Sequence, residues 1–210
     1  MFLKGKSYFL LYKINLLFRF PIEFFKWSKR RYSPPLPELL KRSFLTSFSN
    51  KEMCWVETGT YKGITSLALA RKSKQVITIE PDSMLYRRAN SRLSIQKNIR
   101  VINGTSQESL MSAVNYLSFQ DQVSFYLDGH FSGGVTYKGD GDSPLLAELN
   151  IIQTLLDRKV KFLIIIDDVR LTYQERVESG NYPSVNHLVT WCAENNFSWR
   201  IENDMFIALN

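Results

Sequence analysis

Five places in this chain pair residue types and spacings that suit ligand chemistry. The segment Val56-Glu57-Thr58-Gly59-Thr60-Tyr61-Lys62-Gly63 sets an acid and two glycines where an apolar run gives way to a helical pattern. Gly59 permits a tight turn and close ligand approach, and Gly63 permits close helix packing. The dinucleotide pattern G-x-G-x-x-G is not met, because position 61 is Tyr. Glu57 would repel a pyrophosphate and suits a cationic ligand instead. Glu80 ends the following strand, and a carboxylate there can accept from both hydroxyls of a ribose. Next, Asn103-Gly104-Thr105-Ser106 supplies small polar groups where an adenine edge would lie. The competing reading is purely structural, with turn glycines, Glu80 as a helix-capping acid and Ser106 as a plain N-cap.

Two later strand ends are acidic, Asp128-Gly129-His130 and Asp167-Asp168. If those strands are neighbours, three carboxylates converge at one edge, and burying them uncompensated is costly. An all-oxygen site for Mg²⁺ or a similar hard divalent cation would resolve that cost. His130, neutral near pH 7, could take a proton from a substrate. The competing reading has Asp168 capping a turn, Asp128 touching a cofactor without metal, and His130 as a loop residue. The glycine-rich stretch 131–142 that follows could close over a substrate, or simply form a mobile surface loop. Arg170 and Tyr173 follow the acid pair and would line the acceptor side.

The elements that must position these residues are legible from residue 50 onward. Strand patterns cover 53–57, 75–80, 99–103, 122–128 and 161–167. Helical patterns cover 63–72, 82–96, 106–117, 143–157 and 184–196. Strand–helix repetition with apolar strands predicts an α/β, doubly wound parallel sheet covered on both faces. The last two strands, 198–202 and 205–209, are joined too tightly for a crossover and must form an antiparallel hairpin. The sheet then has seven strands. Cys54 and Cys192 read as core thiols, and two cysteines exclude a disulfide-built scaffold.

Charge divides the chain differently. Residues 1–31 hold eight basic residues against one acid, a net +7, whereas 32–210 hold nineteen of each sign. A neutral main domain argues against a nucleic-acid partner. Residues 1–37 read as a basic amphipathic arm and a Pro-rich linker, Ser33-Pro34-Pro35-Leu36-Pro37, ahead of a domain at 38–210. Lys6, Lys13 and Arg19 interrupt every window long enough to span a bilayer, and no signal-peptide pattern is present. Pro21 is expected to open a second short helix within the arm. The arm suits an anionic membrane surface through residues 1–31, or else packing on the domain or in a homodimer. The expected location is cytoplasmic, peripheral at the inner membrane face.

Glu57, Gly59 and Gly63, with Glu80 ending the next strand, resemble the class I S-adenosylmethionine-dependent methyltransferases. That resemblance spans about residues 50–210 and implies a Rossmann-like, mostly parallel sheet with a C-terminal antiparallel hairpin. It implies S-adenosylmethionine held by Glu57, Gly59, Thr60, Tyr61, Gly63, Glu80, Ser106 and Asp128. The acids at strands four and five are similar to those of metal-dependent O-methyltransferases, including the sugar-modifying branch related to macrocin O-methyltransferase. That likeness implies Asp128, Asp167 and Asp168 as ligands of Mg²⁺, with Asp128 and His130 catalytic. His130 stands where that branch has an Asp base. The implied activity is methyl transfer to a hydroxyl of a small molecule, a sugar of a glycan or glycolipid. Alternative readings are a nicotinamide-dependent oxidoreductase or an inactive membrane-surface protein on the same fold.

Overall fold

The computed structural model describes residues 5–117, 122–129, 143–157, 160–172 and 182–210. The arm is α1 (Gly5–Lys29), followed by α2 (Glu38–Ser47). Then come β1 (Cys54–Thr58), α3 (Ile64–Lys72), β2 (Gln75–Glu80), α4 (Ser83–Leu93), β3 (Ile99–Asn103), α5 (Ser106–Asn115) and β4 (Gln122–Leu127). The chain continues through α6 (Leu145–Gln153), β5 (Lys161–Ile166), a short 3₁₀ turn (Val169–Thr172), α7 (Val185–Glu194), β6 (Ser198–Glu202) and β7 (Met205–Leu209).

The seven strands form one sheet in the order β3-β2-β1-β4-β5-β7-β6. Strands β1 to β5 pair in parallel, and β7 pairs antiparallel with both β5 and β6. This is the expected architecture. Period-two alternation splits the strand side chains between two cores. Val56, Ile77, Phe125 and Ile164 face α5, α6 and α7, whereas Trp55, Val76, Tyr126 and Ile165 face α2 and α3. Both cysteines are buried thiols. Because β1, β4 and β5 are adjacent, the loops after them meet at one edge, and the order change between β1 and β4 opens a crevice there.

Two features depart from the sequence patterns. The arm is one continuous helix with Pro21 inside it, not two segments. An interior proline costs a helix about 3 kcal/mol. Docking on both sides of the proline offsets that cost: Phe9 and Leu16 are buried before it, and Glu23 accepts the Glu38 N–H after it. Helix α2 has no counterpart in the sequence patterns, and it stands directly over the crevice.

Candidate functional site

At the end of β1 the chain turns through Gly59 (φ +87°) and Tyr61 (φ +47°) into α3. Both Gly59 N–H and Thr60 N–H donate to Ile79 O, at 3.0 and 3.2 Å, tying the turn to β2. The Thr60 and Thr78 hydroxyls bond at 2.6 Å. Glu57 is buried and accepts from the Ser66 hydroxyl. Burial pushes its carboxyl up to about 7, partly offset by the Ser66 and Thr78 hydroxyls.

Glu80 accepts Tyr61 N–H at 2.7 Å and Asp82 N–H at 3.0 Å. Each oxygen keeps a second lone pair, so the carboxylate braces the turn and can still accept from a diol. Burial raises its pKa, and these two N–H groups oppose the rise. The cap of α4 is Asp82, which accepts from Met84 N–H and Leu85 N–H. The cap of α5 is Thr105. Neither Glu80 nor Ser106 therefore serves as the N-cap residue.

Ser106 is buried beside Glu148, a buried acid of α6 that the sequence patterns did not single out. Burial pushes Glu148 up to about 7, against the Ser106 and Thr58 hydroxyls that lower it. A carboxyl raised from 4.5 holds a proton in the folded state that the unfolded chain has released. Its destabilising effect is absent at low pH and grows as pH rises from 4.5 through about 7. Glu148→Gln is therefore expected to gain stability on wild type between pH 5 and pH 8, by on the order of 3 kcal/mol. Urea unfolding at both pH values checks this, and parallel pH profiles for the two proteins would refute it.

A cleft of about 200 Å³ lies over these strand ends. Gly59, Thr60, Tyr61 and Asp128 line it from the sheet, Lys41 and Arg42 from α2, and Tyr12 and Arg19 from α1. Glu57, Gly63, Glu80 and Ser106 surround the same strand ends without lining the cleft. Gly63 instead packs on α4, where a Cβ would come 2.8 Å from the Leu93 side chain. His130 and Tyr173 lie outside the described residues, as does the glycine-rich stretch 131–142.

The acids after β4 and β5 do converge, but protein cations meet them. Lys41 Nζ pairs with Asp167 and lies 3.5 Å from Asp168 Oδ1. Arg170 Nη1 lies 2.7 Å from Asp168 Oδ1 and pairs with Asp204 in the β6–β7 turn. The Tyr126 hydroxyl donates to Asp167 Oδ2 at 2.5 Å and lies 3.4 Å from Asp128 Oδ2. Asp167 Oδ1 accepts Asp168 N–H at 2.8 Å. Burial alone would lower the Lys41 ammonium, but Asp167, Asp128 and Asp168 more than reverse this and hold it above its ordinary value. Burial, then the Asp167 charge, pushes Asp128 well above the usual carboxylate range, with Lys41 opposing.

This donor set does not fit the expected Mg²⁺. A hard divalent cation needs carboxylate oxygens turned toward a common centre. Here Asp167 is committed to Lys41 and Tyr126, and Asp168 to Arg170. Among the described residues no three acids, histidines or cysteines group as a metal site. The compensation that burial demands comes from Lys41 and Arg170. Arg170 thereby ties the turn after β5 to the hairpin turn, and it does not line this cleft.

Tyr126 had a signal in the sequence, because alternation puts residues 126 and 128 on one face of β4. Lys41 had a weaker one, a lysine four residues before Leu45 and thus on the buried face of α2.

No family model matches the chain, and no curated protein does. Solved structures do resemble it. An O-methyltransferase from Bacillus cereus in complex with SAH superposes with a TM-score of 0.55 at 18% identity, covering 90% of this chain and 89% of that one. A Streptococcus mutans protein designated a methyltransferase, also in complex with SAH, superposes with a TM-score of 0.51 at 15% identity. The match covers 84% of this chain and 97% of that one. At such identities the likeness is one of fold, so the chain has the Rossmann-like sheet with a terminal antiparallel hairpin that these methyltransferases share.

Proposed function

We propose that this protein transfers the methyl group of S-adenosylmethionine to a hydroxyl of a small polar acceptor, a sugar of a glycan or glycolipid. The observation that carries this reading is the run of ligand-suited groups on consecutive strand ends: the Gly59 turn after β1, Glu80 ending β2 and Ser106 after β3. SAH in two proteins of the same fold supports the choice of cofactor. Glu80, bonded to the Tyr61 N–H at the Gly59 turn, opposes a pyrophosphate there.

When bound, the cofactor supplies an electrophilic methyl on a sulfonium. The chain's own residues must then position the acceptor and take its proton. Asp128, on the cleft wall, accepts the hydroxyl proton as the oxygen–methyl bond forms and the sulfur–methyl bond breaks. Its upward-shifted carboxyl is a better matched base than an ordinary aspartate. Tyr126 is held neutral, chiefly by burial, so its hydroxyl stays a donor beside Asp128. Lys41 opposes that upward shift and so favours the ionised form of Asp128 that can take the proton. No divalent cation takes part in this scheme.

The test is titration calorimetry with S-adenosylmethionine and, separately, NADH, each in Mg²⁺ and in EDTA. Micromolar binding of S-adenosylmethionine, equal in both buffers, is expected. Glu80→Gln should weaken it by about tenfold or more, since an amide cannot accept twice from a diol while bracing two N–H groups. Binding of NADH alone would replace this reading with an oxidoreductase. Binding of neither ligand would leave an inactive fold.

A further inference from the structure

Helix α1 has two apolar faces, and the protein covers one of them. Phe9 and Leu16 are buried against the domain, Tyr8 lies under the Arg92 guanidinium at 3.9 Å, and Tyr12 under that of Arg42 at 5.5 Å. The opposite arc presents Leu10, Ile14, Leu17, Phe18, Ile22 and Phe25 to solvent, with Leu17 67% and Phe18 77% exposed. Eight of the eighteen exposed large apolar side chains among the described residues belong to this one helix. A monomer rarely leaves such a stripe uncovered without a use for it.

Charge identifies what covers it. Lys13 and Lys26 are exposed at the margins of the arc, Lys29 lies over the Phe25 ring at 4.7 Å, and Arg30 and Arg31 follow at the helix end. The lone acid, Glu23, points away, paired with Arg19 at 2.9 Å and accepting the Glu38 N–H. We propose that this outer face of α1 seats the protein on an anionic lipid bilayer, the helix lying in the surface plane with its lysines reaching the headgroups. A second copy is a poorer occupant, because two arms of net +7 would be brought face to face. Spanning is not an option, since no helix among the described residues is long and apolar enough to cross a membrane.

The inner side of the same helix contributes Tyr12 and Arg19 to the cleft that holds Asp128. Seating α1 on lipid therefore brings that cleft to within about one helix diameter, roughly 10 Å, of the bilayer surface. The seating itself does not depend on the methyl-transfer reading.

The experiment is co-sedimentation of the full chain with vesicles of phosphatidylcholine alone and with about 30 mol % phosphatidylglycerol. Wild type should pellet with the anionic vesicles and stay in solution with the neutral ones, and added salt should weaken the binding. Leu17→Glu with Phe18→Glu should lower the bound fraction by about tenfold at unchanged melting temperature, since both side chains are already in solvent. Lys26→Glu with Lys29→Glu should abolish the preference for anionic lipid while leaving the fold intact. Wild type remaining in the supernatant, or the Leu17/Phe18 variant binding equally, would overturn the proposal. So would light scattering that shows a wild-type dimer which the Leu17/Phe18 variant dissolves.

Discussion

Lys41→Met is expected to cost this protein about 3–5 kcal/mol of stability at pH 8, the largest loss from any single charge removal in the site. Methionine keeps the length and apolar stem of lysine, so the packing of α2 is nearly preserved. What disappears is the ammonium between Asp167, whose side chain is fully buried, and the neighbouring Asp128 and Asp168. Removing one partner of a buried pair leaves the other charge without compensation. The sign of the pH dependence follows. Asp128 already titrates above its ordinary range with Lys41 present, and losing that opposing charge raises it further. An acid raised in the folded state destabilises above its unfolded value, and the penalty fades as pH falls and the proton returns. The deficit of the variant should therefore shrink from pH 8 to pH 5 in urea unfolding. Adding Asp167→Asn should recover much of the loss at pH 8, which a packing defect would not allow. A second readout addresses the cation directly. Wild type should bind no Mn²⁺ by calorimetry, whereas Lys41→Met opens the acids to it. Stoichiometric Mn²⁺ binding by wild type that Asp128→Asn abolishes would show that a metal, not Lys41, is the working counter-charge.

That Lys41 went unread shows where the sequence stops. Strand β5 is legible because Phe162 to Ile166 are apolar without interruption, which only a sheet covered on both faces buries, and β2 because Val76, Ile77, Thr78 and Ile79 are all β-branched. The hairpin is legible because two residues between 202 and 205 permit nothing else. The turn Gly59-Thr60-Tyr61 and the acids at 80, 128, 167 and 168 are legible because strand ends of a parallel sheet share one edge. What the acids bond to is a different matter. Asp167 could meet a metal, a lysine or an arginine, and the choice is made by residue 41, 126 positions away in the chain. Helix α2 is only ten residues long, with two apolar pairs, Leu39-Leu40 and Phe44-Leu45, on either side of Lys41-Arg42-Ser43, so its placement over the crevice does not follow from local pattern. The continuity of α1 through Pro21 has the same origin, since local preference favours a break and docking on α2 and α4 overrides it.

Gly59→Ala is expected to abolish S-adenosylmethionine binding and to lower stability by about 2–5 kcal/mol, and the reason lies in what the new methyl would strike. At φ +87° an L side chain is strained before any contact is counted. The Cβ would overlap the Asp128 carbonyl oxygen and come 3.0 Å from its carbonyl carbon. Backbone cannot rotate away as a side chain can. The Asp128 N–H is bonded to Thr58 O at 3.2 Å, and the neighbouring Asp167 N–H to Leu127 O at 3.0 Å. Relief therefore requires parting the ends of β1 and β4, which moves Asp128 together with the turn proposed to face the cofactor. Gly63→Ala tests the same logic from the other side. Its φ of +74° is also strained, but its Cβ meets only the Leu93 side chain, nearest at 2.8 Å. Adding Leu93→Ala should relieve the clash at residue 63, leaving a deficit made of the backbone strain plus the cavity of the truncated leucine, about 2–5 kcal/mol for a buried Leu→Ala. At residue 59 no side-chain truncation can help, because the obstacle is main chain. Melting temperatures of Gly59→Ala, Gly63→Ala and Gly63→Ala/Leu93→Ala, each with and without S-adenosylmethionine, separate the two cases. If Gly59→Ala retained wild-type affinity, the contact between the β1 turn and Asp128 would have no part in holding the cofactor.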